Sequence, residues 1–174
     1  MIRSTAFDEH FDQPVLDPAV WTTSYLPAWS SRAAAAATYT VEDDGLHLTI
    51  PADHPLWVSA VQSGNWSGPV GTSRIDGHRA AVGSGIHPFR DPRLVEEFSA
   101  EPMTIDVTQP HRYAIDWQPG RVEFFVDDER TRVCAKAPDY PLQLILGVFD
   151  FPDRRPAGEA AVAELVVHRV RGTR

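Results

Sequence analysis

Between His111 and Asp128 the chain reads HRYAIDWQPGRVEFFVDD, with apolar residues on alternate positions. Tyr113, Ile115 and Trp117 alternate with Arg112, Ala114 and Asp116, and Val122, Phe124 and Val126 alternate with Arg121, Glu123, Phe125 and Asp127. A period of two marks a half-buried β-strand. Gln118-Pro119-Gly120 separates the two runs; Pro presets φ for a turn and Gly accepts the positive φ that follows. The stretch therefore predicts a hairpin with Tyr, Ile, Trp, Val and Phe on one face. Asp127-Asp128 ends it and opens the next turn. A lone hairpin is marginal in water, so other strands must cover that face.

The rest of the chain supplies candidates. Asp43-Asp44-Gly45 is a strong hairpin turn between a strand at Thr38–Val41 and one that puts Leu46, Leu48 and Ile50 on one face. Trp57–Ser63, Met103–Val107 and Arg130–Ala135 read as further strands. Leu142–Phe149 is almost continuously apolar, the pattern of a strand buried on both faces or central in a sandwich. Ala160–Arg171 alternates imperfectly through Val162, Leu165, Val167 and Val170 and reads as the closing strand. The five alanines Ala33–Ala37 are too few to nucleate a helix and predict one turn. Residues 1–32, with Phe7, Phe11, Trp21, Tyr25 and Trp29, fit neither period and are expected to wrap irregularly over the sheets. Val70–Arg93 is dominated by Gly, Pro, His and Arg and has no clear period. No repeat or linker divides the chain, so one domain over residues 1–174 is expected.

Composition sharpens this. Fifteen prolines in 174 residues call for many turns between short elements, since Pro is excluded from helix interiors and central strands. An all-β fold follows. A net charge of -8 points away from nucleic acid, whose binding needs Lys and Arg to displace counterions; a neutral polysaccharide or a small uncharged ligand stays compatible. The lone Cys134 allows no intrachain disulfide and reads as a small buried hydrophobe. The opening MIRSTAFDEHFDQP has no apolar core of a signal peptide, and no window is long enough to span a membrane. The expectation is a cytoplasmic protein with no membrane partner.

The hairpin pattern His-x-Tyr-x-x-x-Trp-x-Pro-Gly-x-Val-x-Phe-Phe-Val-Asp-Asp resembles the C-terminal half of glycoside hydrolase family 16. Tyr140–Phe149 resembles the strand that follows in that family, and Phe7-Asp8, Phe11-Asp12, Leu16-Asp17-Pro18 and Trp21 resemble its opening. The resemblance implies a concanavalin A-like jelly-roll β-sandwich of two curved antiparallel sheets, with a sugar-binding groove on the concave one. It further implies that Trp57, Asn65 and Trp66 border the groove, and that Asp150 follows the strand that floors it. Pyranose C–H faces pack on indole, which makes Trp57 and Trp66 candidate stacking platforms, with Asn65 and Asp150 as polar partners.

The family's chemistry is not where the resemblance would put it. Retaining glycosidases need two carboxylates about 5–5.5 Å apart, which this family places on one strand as Glu-x-Asp-x-x-Glu. No such motif lies between Trp66 and His111, and that segment is too short for the catalytic strand and its neighbour. The join falls between Gly77-His78-Arg79 and Val82-Gly83-Ser84, whose flanks read as loops, so strands are expected to be missing relative to the family. Among the other carboxylates, Glu96-Glu97 reads as an acidic turn, Glu101 and Asp106 lack family-pattern partners, and Asp116 and Glu123 share the hairpin's outer face. His78, His87 and Asp91 lack further ligands at a recognised spacing, so no metal or other cofactor is expected. Three readings stand: a degenerate domain that binds a β-glucan-like polysaccharide or oligosaccharide without turnover, a glycosidase using displaced carboxylates, and a structural module without ligand. Lost strands would expose edges that Val70–Arg93 is too rich in Gly and Pro to cover, so a homodimer is expected.

Overall fold

A computed structural model describes residues 5–26, 30–54, 57–63, 70–76, 79–88, 91–151 and 162–173. The chain runs first through β1 (Thr5–Glu9), β2 (Trp21–Thr22), β3 (Thr38–Glu42), β4 (Gly45–Ile50) and β5 (Val58–Ser63). Then come β6 (Val70–Asp76), β7 (Arg79–Ser84), β8 (Ser99–Met103), β9 (Tyr113–Gln118), β10 (Arg121–Val126) and β11 (Glu129–Cys134). It closes with β12 (Ile145–Phe149), β13 (Ala163–Val167) and β14 (Val170–Thr173). The all-β expectation holds: there is no helix among the described residues. The chain forms two compact units, one of Met1–Asn65 with Gln143–Arg174 and one of Trp66–Leu142.

In the first unit the sheets are β12-β5-β2, β13-β4-β3 and the pair β1-β14, all antiparallel. Leu46, Leu48 and Val61 meet Phe11, Leu16 and Trp21 in one core, with Leu146, Val148, Leu165 and Val167 packed against it. The aromatic opening segment is ordered by Glu9: its carboxylate accepts from the Trp21 indole N–H at 3.0 Å and from the Phe11 backbone N–H at 3.0 Å. That clasp gives the segment two short strands, β1 and β2, where its sequence has no period. The alanine run makes a single turn, with Ser31 Oγ accepting from Ala34 N–H at 3.2 Å. Gly45 sits at φ 134°, and any Cβ there would lie 2.4 Å from the Val167 carbonyl, so the β3–β4 turn admits only glycine at that point.

In the second unit the sheets are β11-β10-β9 and β6-β7-β8. The organising hairpin is present in the expected register, with Trp117 opposite Val122, Ile115 opposite Phe124 and Tyr113 opposite Val126. Directly opposed residues share a face, so the apolar stripe is continuous across both strands. Val122 and Phe124 join Ile86, Cys134 and Ala137 in a core that Trp117 flanks. Trp117 is partly buried and its indole N–H donates to the Pro138 carbonyl at 2.8 Å. Pro119-Gly120 makes the turn with Gly120 at φ 76°. Inside the unit Arg132 crosses from β11 to the other sheet, its guanidinium donating to Ser84 Oγ at 3.3 Å and to Ser99 Oγ.

Three expectations are corrected. Residues 70–93 supply β6 and β7, and β7 is the middle strand of its sheet. Its residues are too small to show a hydrophobic period, and burial comes from outside: the Phe98 ring lies where a Cβ on Gly83 would be, 2.5 Å away. Arg79–Ser84, read as flanking the supposed join, thus lies within a strand, and the premise behind an expected second copy, that this stretch cannot fill a central position, falls. The strand foreseen at Met103–Val107 is instead β8, Ser99–Met103, an edge strand that tolerates Pro102 because one side of its ladder is open. The strand buried throughout is β5 and not β12: all six β5 residues are buried, whereas β12 is half-buried and ends on exposed Phe149. Ser59 and Gln62 can lie there because Ser59 Oγ exchanges hydrogen bonds with the Thr38 backbone at 3.0 Å and Gln62 Nε2 donates to Ser24 O at 2.7 Å.

Two histidines lock turns. His111 faces Asp127 Oδ2 through Nδ1 at 2.7 Å and the Asp106 carbonyl through Nε2 at 2.8 Å. His47 faces Glu164 Oε1 at 2.9 Å and Asp44 Oδ1 at 2.7 Å. Carbonyl and ionised carboxylate oxygens only accept, so these surroundings favour the doubly protonated ring of each histidine. The His111 lock steadies a turn in which Asp127 and Asp128 both take positive φ, 48° and 72°. Arg112 adds its backbone N–H to Asp127 Oδ1 at 2.8 Å and its guanidinium to Asp128.

Phe124→Ala should destabilise by about 4 kcal/mol and Trp117→Ala by about 3 kcal/mol, the ring of Phe124 being fully enclosed and that of Trp117 only partly. Urea unfolding that reversed this order would put Trp117 in the core and Phe124 outside it. A second expectation concerns pH. The carboxylate of Asp44 raises the pKa of His47, and that of Asp127, followed by the Asp106 carbonyl, raises that of His111, both from 6.5. Stability from a raised histidine is fully present below its unfolded value and is lost as pH rises through the higher folded one. The Arg112 backbone hydrogen bond, then His111, lower the pKa of Asp127 from 3.8, and that contribution is lost as pH falls through the lowered value. Stability should therefore decline from about pH 6.5 upward, and His111→Gln should flatten that decline. Urea midpoints that stay level on the alkaline side in the native protein would refute the locks.

Candidate functional site

Four aromatic side chains of the first unit gather at one end of β5 and β12. The antiparallel pairing sets Phe149 opposite Val58, and the ladder runs one rung further, with Asp150 N–H donating to the Trp57 carbonyl at 2.9 Å. Phe149 and Phe151 are two apart, so on an extended chain they share a face. Trp57, at a bend just before β5, turns its ring onto both: its centroid lies 5.6 Å from Phe149 and 5.6 Å from Phe151, at interplanar angles of 31° and 24°. Phe149 and Phe151 are 6.5 Å apart and within 11° of parallel. Tyr25 stands across them, at 66° to Trp57 and 90° to Phe149, placed by its backbone N–H donating to Ala35 O at 2.9 Å. Burial raises the Tyr25 phenol above its ordinary value, so it is a neutral hydroxyl.

What sets this group apart from core aromatics is exposure. Trp57, Phe149 and Phe151 are 44%, 42% and 48% exposed, against 2% for Trp21 and 1% for Phe124. Three large rings half in water at one place form an apolar patch, which soluble proteins keep chiefly for binding.

Of the residues expected from the sequence, the structure brings Trp57 and Asp150 together, with Asp150 joined to Trp57 through its backbone. Asn65, Trp66 and His78 lie outside the described residues. Tyr25, Phe149 and Phe151 are site members that sequence reasoning missed. The Phe-Asp-Phe alternation running past the end of a strand was the available signal for the last two.

The carboxylates singled out from the sequence have partners. Glu96 pairs with His87 Nδ1 at 2.6 Å, and that imidazole stacks on Phe98 at 4.5 Å. Glu101 accepts from Ser99 Oγ at 3.0 Å, and Asp106 caps Thr108. Glu97 lies against the Cys134 thiol, whose pKa is pushed up to about 11 first by burial and then by that carboxylate; this is the inert buried cysteine expected. Asp91 grips Arg93 through two side-chain bonds at 3.1 and 2.9 Å, which holds its carboxyl at about 2. Asp116 and Glu123 directly oppose each other across β9 and β10, and Glu123 is clamped by Arg121 and, at 3.2 Å, by Arg130.

Among the described residues one cluster, Glu42, Asp44 and His47, has donor atoms within 4.8 Å of one another. Its histidine faces Asp44 through Nε2 and Glu164 through Nδ1. His87 and Asp91 do not meet; each is held by the partner already named. No described helix is long and apolar enough to cross a membrane.

Residues 95–157, a little over a third of the chain, match the profile of Glycosyl hydrolases family 16. No curated protein matches the sequence. Among solved structures, the chain resembles a GlcNAcα1-4Gal-releasing endo-β-galactosidase from Clostridium perfringens, with a TM-score of 0.75 at 18% identity, over 97% of this chain and 62% of that one. The chain thus spans about three-fifths of that enzyme. It also resembles a structure from work on endo-acting O-glycanases that prominent members of the human gut microbiota express to initiate mucin breakdown, with a TM-score of 0.63 at 18% identity, over 97% of this chain and 98% of that one. These likenesses establish the fold as an all-β jelly roll of the concanavalin A-like kind.

The buried, raised-pKa thiol gives a direct expectation. Cys134 should not react with a thiol reagent in the native protein and should react fully in denaturant; rapid native labelling would place it at the surface.

Proposed function

We propose that this chain is a carbohydrate-binding β-sandwich that holds a neutral, β-glucan-like polysaccharide or oligosaccharide and does not hydrolyse it. The observation that carries the reading is the exposed facet of Trp57, Phe149 and Phe151 at the end of the β5–β12 ladder. An apolar, polarisable surface of this kind suits the C–H face of a pyranose. The partial family match and the jelly-roll fold support a sugar as the ligand, and the names of the two solved relatives add galactosides and mucin O-glycans to the glycans worth testing.

The carboxylates support the absence of turnover. Hydrolysis with retention needs one group to act as nucleophile while its neighbour gives up a proton. Arg121 and Arg130 instead commit Glu123 to ion pairing on the strand pair where, among the described residues, it stands opposite Asp116. That opposition is also what favours a second reading, a glycosidase working through Asp116 and Glu123.

One set of measurements separates these. Trp57→Ala should weaken retention on β-glucan or mucin-glycan affinity gels by about tenfold or more, equivalent to 1.4 kcal/mol, while leaving the fold unchanged by circular dichroism. Undiminished retention would remove the facet from the site. Reducing-sugar release should be undetectable; release that disappears in Asp116→Asn or Glu123→Gln would establish the second reading instead.

A further inference from the structure

We infer that Thr38 and His54 form a nucleophile and its base, set to accept an acyl group from a short-chain ester. The pair uses none of the exposed aromatic side chains and needs no glycan.

The geometry carries it. Thr38 Oγ1 lies 2.9 Å from His54 Nδ1, and the other ring nitrogen, Nε2, lies 2.9 Å from the Val58 carbonyl. A carbonyl oxygen only accepts, so Nε2 holds the proton of the neutral ring and Nδ1 turns its lone pair on Thr38, whose hydroxyl donates to it. A hydroxyl within reach of a base, with that base oriented by a third group, is the arrangement that activates a nucleophile. Each member is held in place. The Thr38 backbone exchanges two bonds of 3.0 Å with Ser59 Oγ, which is fully buried. The His54 N–H closes a turn onto the Pro51 carbonyl at 2.9 Å. Solvent can reach the hydroxyl. Tyr39 and Val41 oppose Leu48 and Leu46 of the core, so Thr38 shares the other face of β3 with Thr40 and Glu42, both exposed. β3 is an edge strand, and Thr38 itself is half-buried.

Thr40 and Thr108 make the contrast. They donate to Glu42 Oε1 at 2.9 Å and to Asp106 Oδ1 at 2.6 Å, and an ordinary carboxylate is a weaker base than an ordinary imidazole by about two pK units. In the step proposed, Thr38 Oγ1 attacks the ester carbonyl carbon and forms the new C–O bond as its proton passes to His54 Nδ1. The ester C–O bond breaks; the leaving oxygen departs with its electron pair and takes that proton from the imidazolium. The products are an O-acyl Thr38 and a free alcohol or phenol. A short acyl group suits the position, because the carbon that bears the threonine hydroxyl also carries a methyl.

The probe is para-nitrophenyl acetate on the intact chain, read by nitrophenolate absorbance and by peptide mass mapping of the acetyl group. The acetyl group should appear on Thr38. His54→Gln should slow that labelling by about a hundredfold or more, Thr38→Ser should keep it, and Thr38→Val should remove the acetylated peptide, with circular dichroism unchanged in all three. Labelling of Thr38 no faster than of exposed Thr40, or undiminished labelling in His54→Gln, would overturn the inference and leave the two bonds as fastenings of the loop to β3. Nitrophenolate release that survives Thr38→Val and vanishes in His54→Gln would make the imidazole the acceptor, and would overturn it as well.

Discussion

The pairing of β5 with β12 is the constraint on which the first unit turns. Residues more than eighty positions apart are brought into one ladder, and the close approach has a specific cause: Gly147 faces Ala60, and a Cβ on that glycine would come within 2.8 Å of the alanine methyl. Two small residues let the strands pack with every β5 side chain buried. The same rungs fix what happens beyond the strand ends, because Phe149 opposite Val58 sets Trp57 and Phe151 side by side. Core and candidate site are thus consequences of one register, and a slip of one residue would turn Phe149 and Phe151 to the opposite face.

Legibility in the sequence followed the range of the forces involved. The β9–β10 hairpin could be read in full because its period, its turn and its face are local properties of adjacent residues. Leu46, Leu48 and Ile50 were equally plain. β7 was hidden because Ala80, Val82, Gly83 and Ser84 carry little hydrophobic signal of their own, and their burial depends on Phe98 arriving from another segment. β12 reads as the most buried strand and is not, because burial is decided by position in the sheet, and the middle place went to the more polar β5. Of the candidate site, Trp57 and Asp150 were named from the resemblance. The aromatic group itself is assembled from positions 25, 57, 149 and 151, which no local pattern links.

Charge is spent on architecture throughout the described residues. Asp8 holds Arg169 through two bonds at 2.7 and 2.6 Å, tying β1 to the segment between β13 and β14. Arg132 binds the two sheets of the second unit to each other, and the histidine locks fasten turns. A catalytic carboxylate must be free to change its proton or its bond in the course of a cycle. The groups named here are instead fixed by cationic or hydrogen-bonding partners.

The two units differ in how far their contacts reach along the chain, and this sets an order of assembly. β9, β10 and β11 pair with immediate sequence neighbours through tight turns, so their ring closures are short and entropically cheap. β4 waits for β13, β5 for β12 and β1 for β14, partners that lie far downstream, as Ile145 does from Gln62 and Thr173 from Thr5. Low contact order favours early folding. On a ribosome the hairpins of the second unit can therefore form while β1 to β5 still lack the strands that complete their sheets. The aromatic group is among the last features to be completed, since Phe149 and Phe151 must emerge before Trp57 has the two rings it packs on. Pulse-labelled hydrogen exchange during refolding would show this as protection in β10 well before protection in β5.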